Sequence, residues 1–375
     1  MRYLAKDVIK DIKKKMVFVS GPRQVGKTYM AKFILKELNS DQYYSWDRAE
    51  HRKSITKVEW DKKAPVVVFD ELHKSKTWKN WLKGIYDTEP HPPYYLVTGS
   101  ARLNVFRKGG DSLMGRYFHY RLHPFSLKEL VDYNKYDGAK ALQLLWERGG
   151  FPEPLFAKSS FDVNKWRKER SERILREDLL NIELVKKLND VEYLIELLKD
   201  RVGSPISYRS ISEDLSVSPP TVKSWIELLE RLYVIFKVQP FSRSLSRSIK
   251  KESKVYFYDY SDIQDNGAKF ENMIASHLIK HVNYLEDTKG KKLQLFTLRD
   301  KEKREVDFVI TENNKPIQLI EAKLSDSNAS KSLFYYSEKF KDAESIQVVK
   351  NLERNKTVSN INIRKAETFL MELSA

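Results

Sequence analysis

The segment from residue 16 to residue 38 constrains this chain more tightly than any other. An apolar run at 16–19 leads into Gly21-Pro22-Arg23-Gln24-Val25-Gly26-Lys27-Thr28, and a helical pattern at 29–38 follows at once. The eight residues fit G-x-x-x-x-G-K-[ST]. Glycines let such a loop curl until its N–H groups face phosphate oxygens, and the next helix adds the positive end of its dipole. Lys27 would reach the β- and γ-phosphates, and Thr28 would ligate Mg²⁺. ATP and Mg²⁺ are therefore the expected ligands, with Gly21 through Thr28 as the binding set. A glycine turn beside a surface lysine would spell the same letters, but would not need a strand before it and a helix after it.

A second acidic element strengthens this reading. Val66-Val67-Val68-Phe69 is an apolar run that ends in Asp70-Glu71. Asp70 would hold Mg²⁺, since a hard cation takes carboxylate oxygen, and Glu71 would polarise the attacking water. The next apolar run, 94–98, ends at Gly99-Ser100-Ala101-Arg102, where Ser100 could orient that water. Arg116, in Ser112-Leu113-Met114-Gly115-Arg116, could stabilise charge that develops in phosphoryl transfer. The plain alternative for Arg116 is a structural or surface arginine. Strand-like runs at 16–19, 42–46, 65–69, 94–98 and 117–122 alternate with helical patterns at 29–38 and 78–86. That alternation predicts an α/β fold with a parallel sheet wrapped by helices.

Composition narrows the class further. The chain has 375 residues, hydrophobic residues make up 41%, and cysteine is absent. Disulfides and thiolate zinc sites are thereby excluded. No run approaches the ~18 apolar residues of a membrane helix, and the charged N-terminus has no signal-peptide core. A cytoplasmic protein without a membrane partner is expected. The formal charge of +16 points towards a polyanion such as DNA. Residues 1–150 hold 29 Lys and Arg against 17 Asp and Glu, an excess of 12, whereas 201–250 carry an excess of only 4.

Beyond residue 126 a helical stretch runs to about 198, broken by Gly149-Gly150-Phe151-Pro152-Glu153-Pro154. Residues 207–215 and 219–232 read as two helices joined by Ser216-Val217-Ser218, with Ser218 as N-cap and Pro219 in the first turn. Val222, Trp225, Ile226, Leu229 and Leu232 repeat at helical spacing and predict a core face. This pair suits a helix-turn-helix whose second helix carries Lys223 towards a groove. Strands at 234–240 and 255–260 follow, and the loop between them holds Arg243, Arg247, Lys250, Lys251 and Lys254, a basic set suited to a phosphate backbone. A solvated loop on a winged helix that only packs against its neighbours would look the same.

The last segment contains a helical pattern at 271–281 and strands near 292–298, 305–310, 316–323 and 345–350. Val306, Phe308 and Ile310 alternate with Asp307, and Glu321 and Lys323 stand two apart on one strand face. Pairing of the two strands would bring Asp307 to Glu321. Such carboxylates could bind Mg²⁺, with Lys323 positioning water and Glu271 as a fourth member. This is the Asp…Glu-x-Lys pattern of restriction-endonuclease-like nucleases. The histidines have no zinc-ligand spacing, and the Tyr and Trp content reads as packing before base stacking.

Taken together, GPRQVGKT, SWDRAEHRKSI, VVVFDELHKSKTWKNWLKGI, YYLVTGSARL, SLMGRYFHYRLHPFSLKEL, GGFPEP, DLSVSPPTVKSWIELLERLYVI, EVDFVI and LIEAK resemble the prokaryotic AAA-type P-loop ATPases with a C-terminal domain of unknown function. The resemblance covers nearly the whole chain. It implies an AAA-type ATPase core at 1–135, a helical lid or linker at 136–200, a winged helix at 201–258 and a restriction-endonuclease-like α/β domain at 259–375. Arg102 departs from the small polar residues frequent there, which leaves two candidate arginines. The expected function is Mg²⁺-dependent ATP binding and hydrolysis coupled to DNA binding or remodelling, in a homo-oligomer if Arg116 serves a neighbour's site, with metal-dependent nuclease activity at the C-terminus. The alternative is a nucleotide-controlled switch that binds DNA or protein, turns over little ATP and keeps an inactive nuclease-like fold.

Overall fold

A parallel sheet forms the centre of the first unit, Met1–Pro124, in the computed structural model, which describes residues 1–99, 113–173, 188–242, 252–325 and 328–375. Strands β1 (Met16–Ser20), β2 (Tyr43–Ser45), β3 (Val66–Asp70), β4 (Tyr94–Gly99) and β5 (Tyr117–Arg121) pair in the order β2-β3-β4-β1-β5. β1 and β3 are buried from end to end. A parallel sheet covered on both faces demands such uninterrupted apolar runs. The helix Lys27–Glu37 packs Met30, Ala31 and Ile34 inward against the sheet. Phe18, Phe69 and Tyr95 alternate onto one face with Trp60 and Trp78. There Phe69 lies 5.3 Å from the Trp60 ring and 5.4 Å from the Trp81 ring. Trp60 and Trp78 are thus core residues, and Trp46 and Trp81 pack half-buried against them.

The second unit is Phe125–Ala375. Its first part is helical: Leu127–Asn134, Gly138–Arg148, Pro152–Leu155, Ser160–Arg173 and Leu188–Lys199. The helices Tyr208–Asp214 and Pro219–Arg231 follow, capped by Ser207 and Ser218, whose side chains accept from the N–H groups of Ser210 and Thr221. Val222, Trp225, Ile226, Leu228 and Leu229 are buried on the second helix. Leu232 is only half-buried, and Leu228 takes its expected place in the core.

An eight-stranded sheet among the described residues completes this unit. Its strands are β6 (Ile235–Pro240), β7 (Lys254–Phe257), β8 (Leu293–Arg299), β9 (Glu305–Glu312), β10 (Lys315–Lys323), β11 (Glu344–Val349), β12 (Lys356–Val358) and β13 (Ile361–Lys365). They run in the order β12-β13-β11-β10-β9-β8-β6-β7. β6 pairs antiparallel with β7 and parallel with β8, so the hairpin at 235–257 belongs to the same sheet as the terminal strands. β9 and β10 form the expected hairpin, with Phe308 opposite Ile320. Its turn residues Asn313 and Asn314 have φ of 51° and 64°. Two consecutive left-handed residues match the right-handed twist of the flanking strands, and Asn tolerates that conformation.

The helix Asn266–Lys289 is longer than expected and packs against β7, β8, β9 and β10. Its Lys280 Nζ lies 2.8 Å from Glu129 Oε2 and 2.9 Å from Ser126 Oγ, with both charged side chains at most 1% exposed. Among the described residues, no helix is long and apolar enough to cross a membrane.

Candidate functional site

The phosphate-type loop leaves β1 and enters the helix Lys27–Glu37 as expected. Two glycines are required by geometry. Gly21 has φ 152°, and a Cβ there would stand 2.2 Å from the carbonyl oxygen of Leu122. Gly26 has φ 99° and caps the helix, a left-handed conformation that glycine adopts without penalty. Lys27 is buried, and its Nζ donates to the carbonyls of Gly21 at 3.0 Å and Pro22 at 2.7 Å. Arg23 and Gln24 are half-buried, Pro22 and Val25 buried. Gln24 Oε1 is enclosed without a hydrogen-bond partner.

Sequence reasoning missed the brace behind this loop. Arg2 is buried, and its guanidinium donates to the carbonyls of Val25 and His123, the latter at 2.6 Å. A lone N-terminal arginine carries no motif that would have flagged it.

Asp70 closes the site from β3. Thr28 Oγ1 donates to Asp70 Oδ2 at 3.0 Å, Tyr43 OH donates to the same oxygen, and Thr98 Oγ1 donates to Oδ1. Two hard oxygens, from Thr28 and Asp70, thus converge from the two elements expected to share Mg²⁺, and this donor set fits that ion. Tyr43 and Thr98 were not anticipated. Burial and the neighbouring Asp70 push the Tyr43 phenol well above its usual pKa, so it remains a donor.

Glu71 follows with φ 56°, its N–H bonded to the Thr98 carbonyl at 2.9 Å. Its carboxylate is raised above the usual glutamate value by burial, against the pull of Lys27. His73 Nε2 stands 3.5 Å from Glu71 Oε2. A partly desolvated carboxylate of this kind suits a general base.

Ser100 and Arg102 lie outside the described residues. Arg116 makes a two-pronged pair with Asp87, Nε to Oδ1 at 2.6 Å and a terminal nitrogen to Oδ2 at 3.0 Å.

The second candidate site lies on the eight-stranded sheet. Asp307 Oδ2 accepts from the Ala322 N–H at 2.9 Å, which joins it to the strand that carries Glu321. Glu321 Oε1 pairs with Lys323 Nζ at 2.8 Å, while Glu321 Oε2 is enclosed without a hydrogen-bond partner. Glu271 accepts from Tyr256 OH at 2.7 Å. All four named residues therefore meet in one cluster. Burial, reinforced by Asp307, pushes Glu271 up to about 7 and Glu321 up to about 8. Asp307 is itself raised by burial.

One assignment needs correction. Lys254 does not belong to the basic loop: it opens β7 and is buried at 2% exposure. Its Nζ stands 3.1 Å from Glu271 Oε1, contacts Glu305 Oε1 and lies 3.9 Å from Asp307 Oδ1. A run of Lys, Glu and Ser hides the start of a strand whose inward face is polar. Among the described residues, no three His, Asp or Glu side chains converge on a metal-sized position. As arranged, the carboxylates hold an ammonium and do not fit a metal ion.

Of the DNA candidates, Lys223 is exposed on the helix Pro219–Arg231. Arg243, Arg247, Lys250 and Lys251 lie outside the described residues.

Strand order, loop and acidic strand are those of a P-loop module, a class of nucleotide-binding domain. Comparison with known proteins agrees: residues 13–131 match the model of an AAA domain. Residues 139–261 and 266–368 match two domains of unknown function, DUF8612 and DUF4143. An uncharacterized protein of Mycobacterium tuberculosis is 21% identical over 245 residues, 65% of this chain and 54% of that one. An uncharacterized protein of Methanocaldococcus jannaschii is 23% identical over 367 residues, covering 89% of this chain and 80% of that one. The chain thus spans about half the length of the mycobacterial relative. Among solved structures, Thermotoga maritima RuvB aligns with TM-score 0.35 and 16% identity over 63% of this chain and 88% of that chain. Aquifex aeolicus DnaA bound to AMPPCP aligns with TM-score 0.31 and 13% identity over 60% and 86%. The AAA-domain match, not these distant likenesses, carries the class.

Proposed function

We propose that the first unit binds ATP with Mg²⁺ and hydrolyses it, and that turnover is coupled to DNA binding. The convergence of Thr28 and Asp70 at 3.0 Å beside Lys27 is the observation that carries this reading. Lys27, now bonded to its own loop carbonyls, exchanges them for phosphate oxygens. Thr28 and Asp70 hold the metal, which neutralises phosphate charge when bound. Glu71 accepts the proton of the attacking water, Ser100 orients that water, and Arg116 meets the developing charge from a neighbouring copy once released from Asp87. In this reading 1–135 is the ATPase core, 136–200 a helical lid, 201–258 a winged helix and 259–375 a nuclease-like domain, the last two sharing one sheet through β6 and β8. Lys223, Arg243, Arg247, Lys250 and Lys251 follow the phosphate backbone.

The test is the ATPase rate with and without several DNA forms, with the DNAs monitored for cuts. Lys27→Ala should abolish nucleotide binding or turnover. Glu71→Gln should keep binding and slow hydrolysis, with the acid limb of the wild-type rate lying above the pH expected of an exposed glutamate. Retained activity in Lys27→Ala sinks the site. A rate independent of protein concentration removes the arginine finger.

One observation favours a second reading. Lys254 stands among the carboxylates of the second site, which supports the nucleotide-controlled binding switch with a silent nuclease-like fold over DNA cleavage at Asp307, Glu321, Lys323 and Glu271. Nucleotide-dependent DNA affinity with very slow turnover and intact DNA is the expected signature of that switch.

A further inference from the structure

The carboxylate cluster is closed around Lys254 from three sides. β7 supplies the lysine, the helix Asn266–Lys289 supplies Glu271, and β9 supplies Glu305 and Asp307. Only 3% of the Lys254 side chain is exposed. Gly203, with φ 75°, permits the enclosure: a Cβ there would stand 2.6 Å from Glu271 Oε2. Tyr256 OH adds a donor to the Glu271 carboxylate. Beside Asp307, Glu321 is 4% exposed and its Oε2 has no hydrogen-bond partner. One oxygen of the cluster thus lacks a donor while its neighbours crowd a single ammonium.

A charged group buried at this depth persists only where opposite charge and hydrogen bonds repay its desolvation. Lys254 provides that repayment for Glu271, Glu305 and Asp307 together. A divalent ion would use the same carboxylate oxygens, and an ammonium and a metal cannot share them at ~3 Å without strong repulsion.

We propose that Lys254 is the resident cation of this cluster: its ammonium fills the place a divalent ion would take, and the carboxylates accept such an ion only when that ammonium is removed. The second clause rests on the reading of the cluster as a nuclease-like metal centre. The first stands on the ion pairs alone. Lys254 is therefore not a DNA contact of the hairpin loop.

The test uses the full chain without nucleotide and follows Mn²⁺ uptake by electron paramagnetic resonance, with thermal unfolding in parallel. Wild type is expected to show no uptake that Asp307→Asn removes. Lys254→Met should lose thermal stability, gain one Mn²⁺ per chain, recover stability with the ion, and lose both gains in K254M/D307N. Lys254→Arg should behave as wild type. Uptake by wild type that Asp307→Asn abolishes overturns the proposal and leaves the metal centre standing. A destabilised Lys254→Met without uptake upholds the resident cation and overturns the metal centre. Wild-type stability in Lys254→Met without uptake overturns the proposal. Should Lys254→Met fail to fold, recovery by Mn²⁺ or by adding Glu305→Gln is expected, and recovery by neither overturns it.

Discussion

Tyr43→Phe probes the acidic strand of the nucleotide site without touching the loop. Tyr43 sits on β2, next to β3, and its hydroxyl shares Asp70 Oδ2 with Thr28. A hydrogen bond to an ionised carboxylate is worth about 1.5–3 kcal/mol. Phenylalanine keeps the ring, and Asp70 Oδ2 keeps the Thr28 donor, so no acceptor is orphaned. The loss should therefore lie near the lower end, about 1.5 kcal/mol. It falls on the orientation of the Asp70 carboxylate and not on the phosphate-facing loop. Since ~1.4 kcal/mol is tenfold in an equilibrium constant, the Mg²⁺ concentration for half-maximal ATPase should rise roughly tenfold. Nucleotide affinity in the presence of EDTA should stay unchanged. ATPase measured across a Mg²⁺ titration, with fluorescent-nucleotide binding in EDTA, separates the two. An unchanged Mg²⁺ requirement, or a loss seen only in EDTA, refutes the assignment of Tyr43 as a positioning residue for Asp70.

Arg2→Ala should cost about 1–3 kcal/mol in urea unfolding, because the carbonyls of Val25 and His123 lose a buried donor. Nucleotide affinity should fall with it, and Arg2→Lys should restore only part, since an ammonium lacks the guanidinium fork. Lys280→Met should destabilise the second unit by about 3–5 kcal/mol by stranding Glu129, whereas K280M/E129M should lose less than the single variant. Burial holds His277 down at about 4, with Nδ1 donating to the Met273 carbonyl and Nε2 accepting from the Leu127 N–H. The unfolded chain takes up this proton near pH 6.5 and the folded one only near 4. Its contribution is therefore complete above 6.5 and lost as pH falls, by up to about 3 kcal/mol, a slope that His277→Gln should flatten in pH-dependent unfolding.

The parts legible in the sequence were those fixed by local pattern. The loop at 21–28 is a contiguous motif, and the apolar run ending at Asp70-Glu71 reads as a strand of the same sheet once paired with that loop. The Asp307–Glu321 pairing followed from period-two alternation across a short polar turn. What stayed hidden depends on neighbours distant in sequence. Tyr43 and Thr98 reach Asp70 only because β2 and β4 flank β3, an order no local pattern encodes. Arg2 meets Val25 from 23 residues away. β12 and β13 lack apolar runs, and β12 is exposed throughout. Lys254 sits in a charged run, and only the register that pairs it with Val238 turns it towards Glu271.

That register also determines how the cluster could open. The backbone of Lys254 is held twice, by Val238 on β6 and by a bridge to Pro205, and the Ile206 N–H donates to the Ser253 carbonyl at 3.0 Å. β6 continues into β8 through Gln239 opposite Phe296 and Pro240 opposite Thr297. The hairpin is thus one edge of the sheet that carries Asp307 and Glu321, and it cannot swing independently without breaking that ladder. Freeing the carboxylates therefore requires the lysine side chain to turn about its own bonds while β7 stays paired. Arginine, with a planar fork that two carboxylates can grip together, should resist such withdrawal. Lys254→Arg should therefore show no Mn²⁺ uptake that Asp307→Asn removes, even with ATP and DNA present, and the amides of 254–257 should keep their exchange protection. Loss of that protection on DNA binding would mean that the strand, not the side chain, moves.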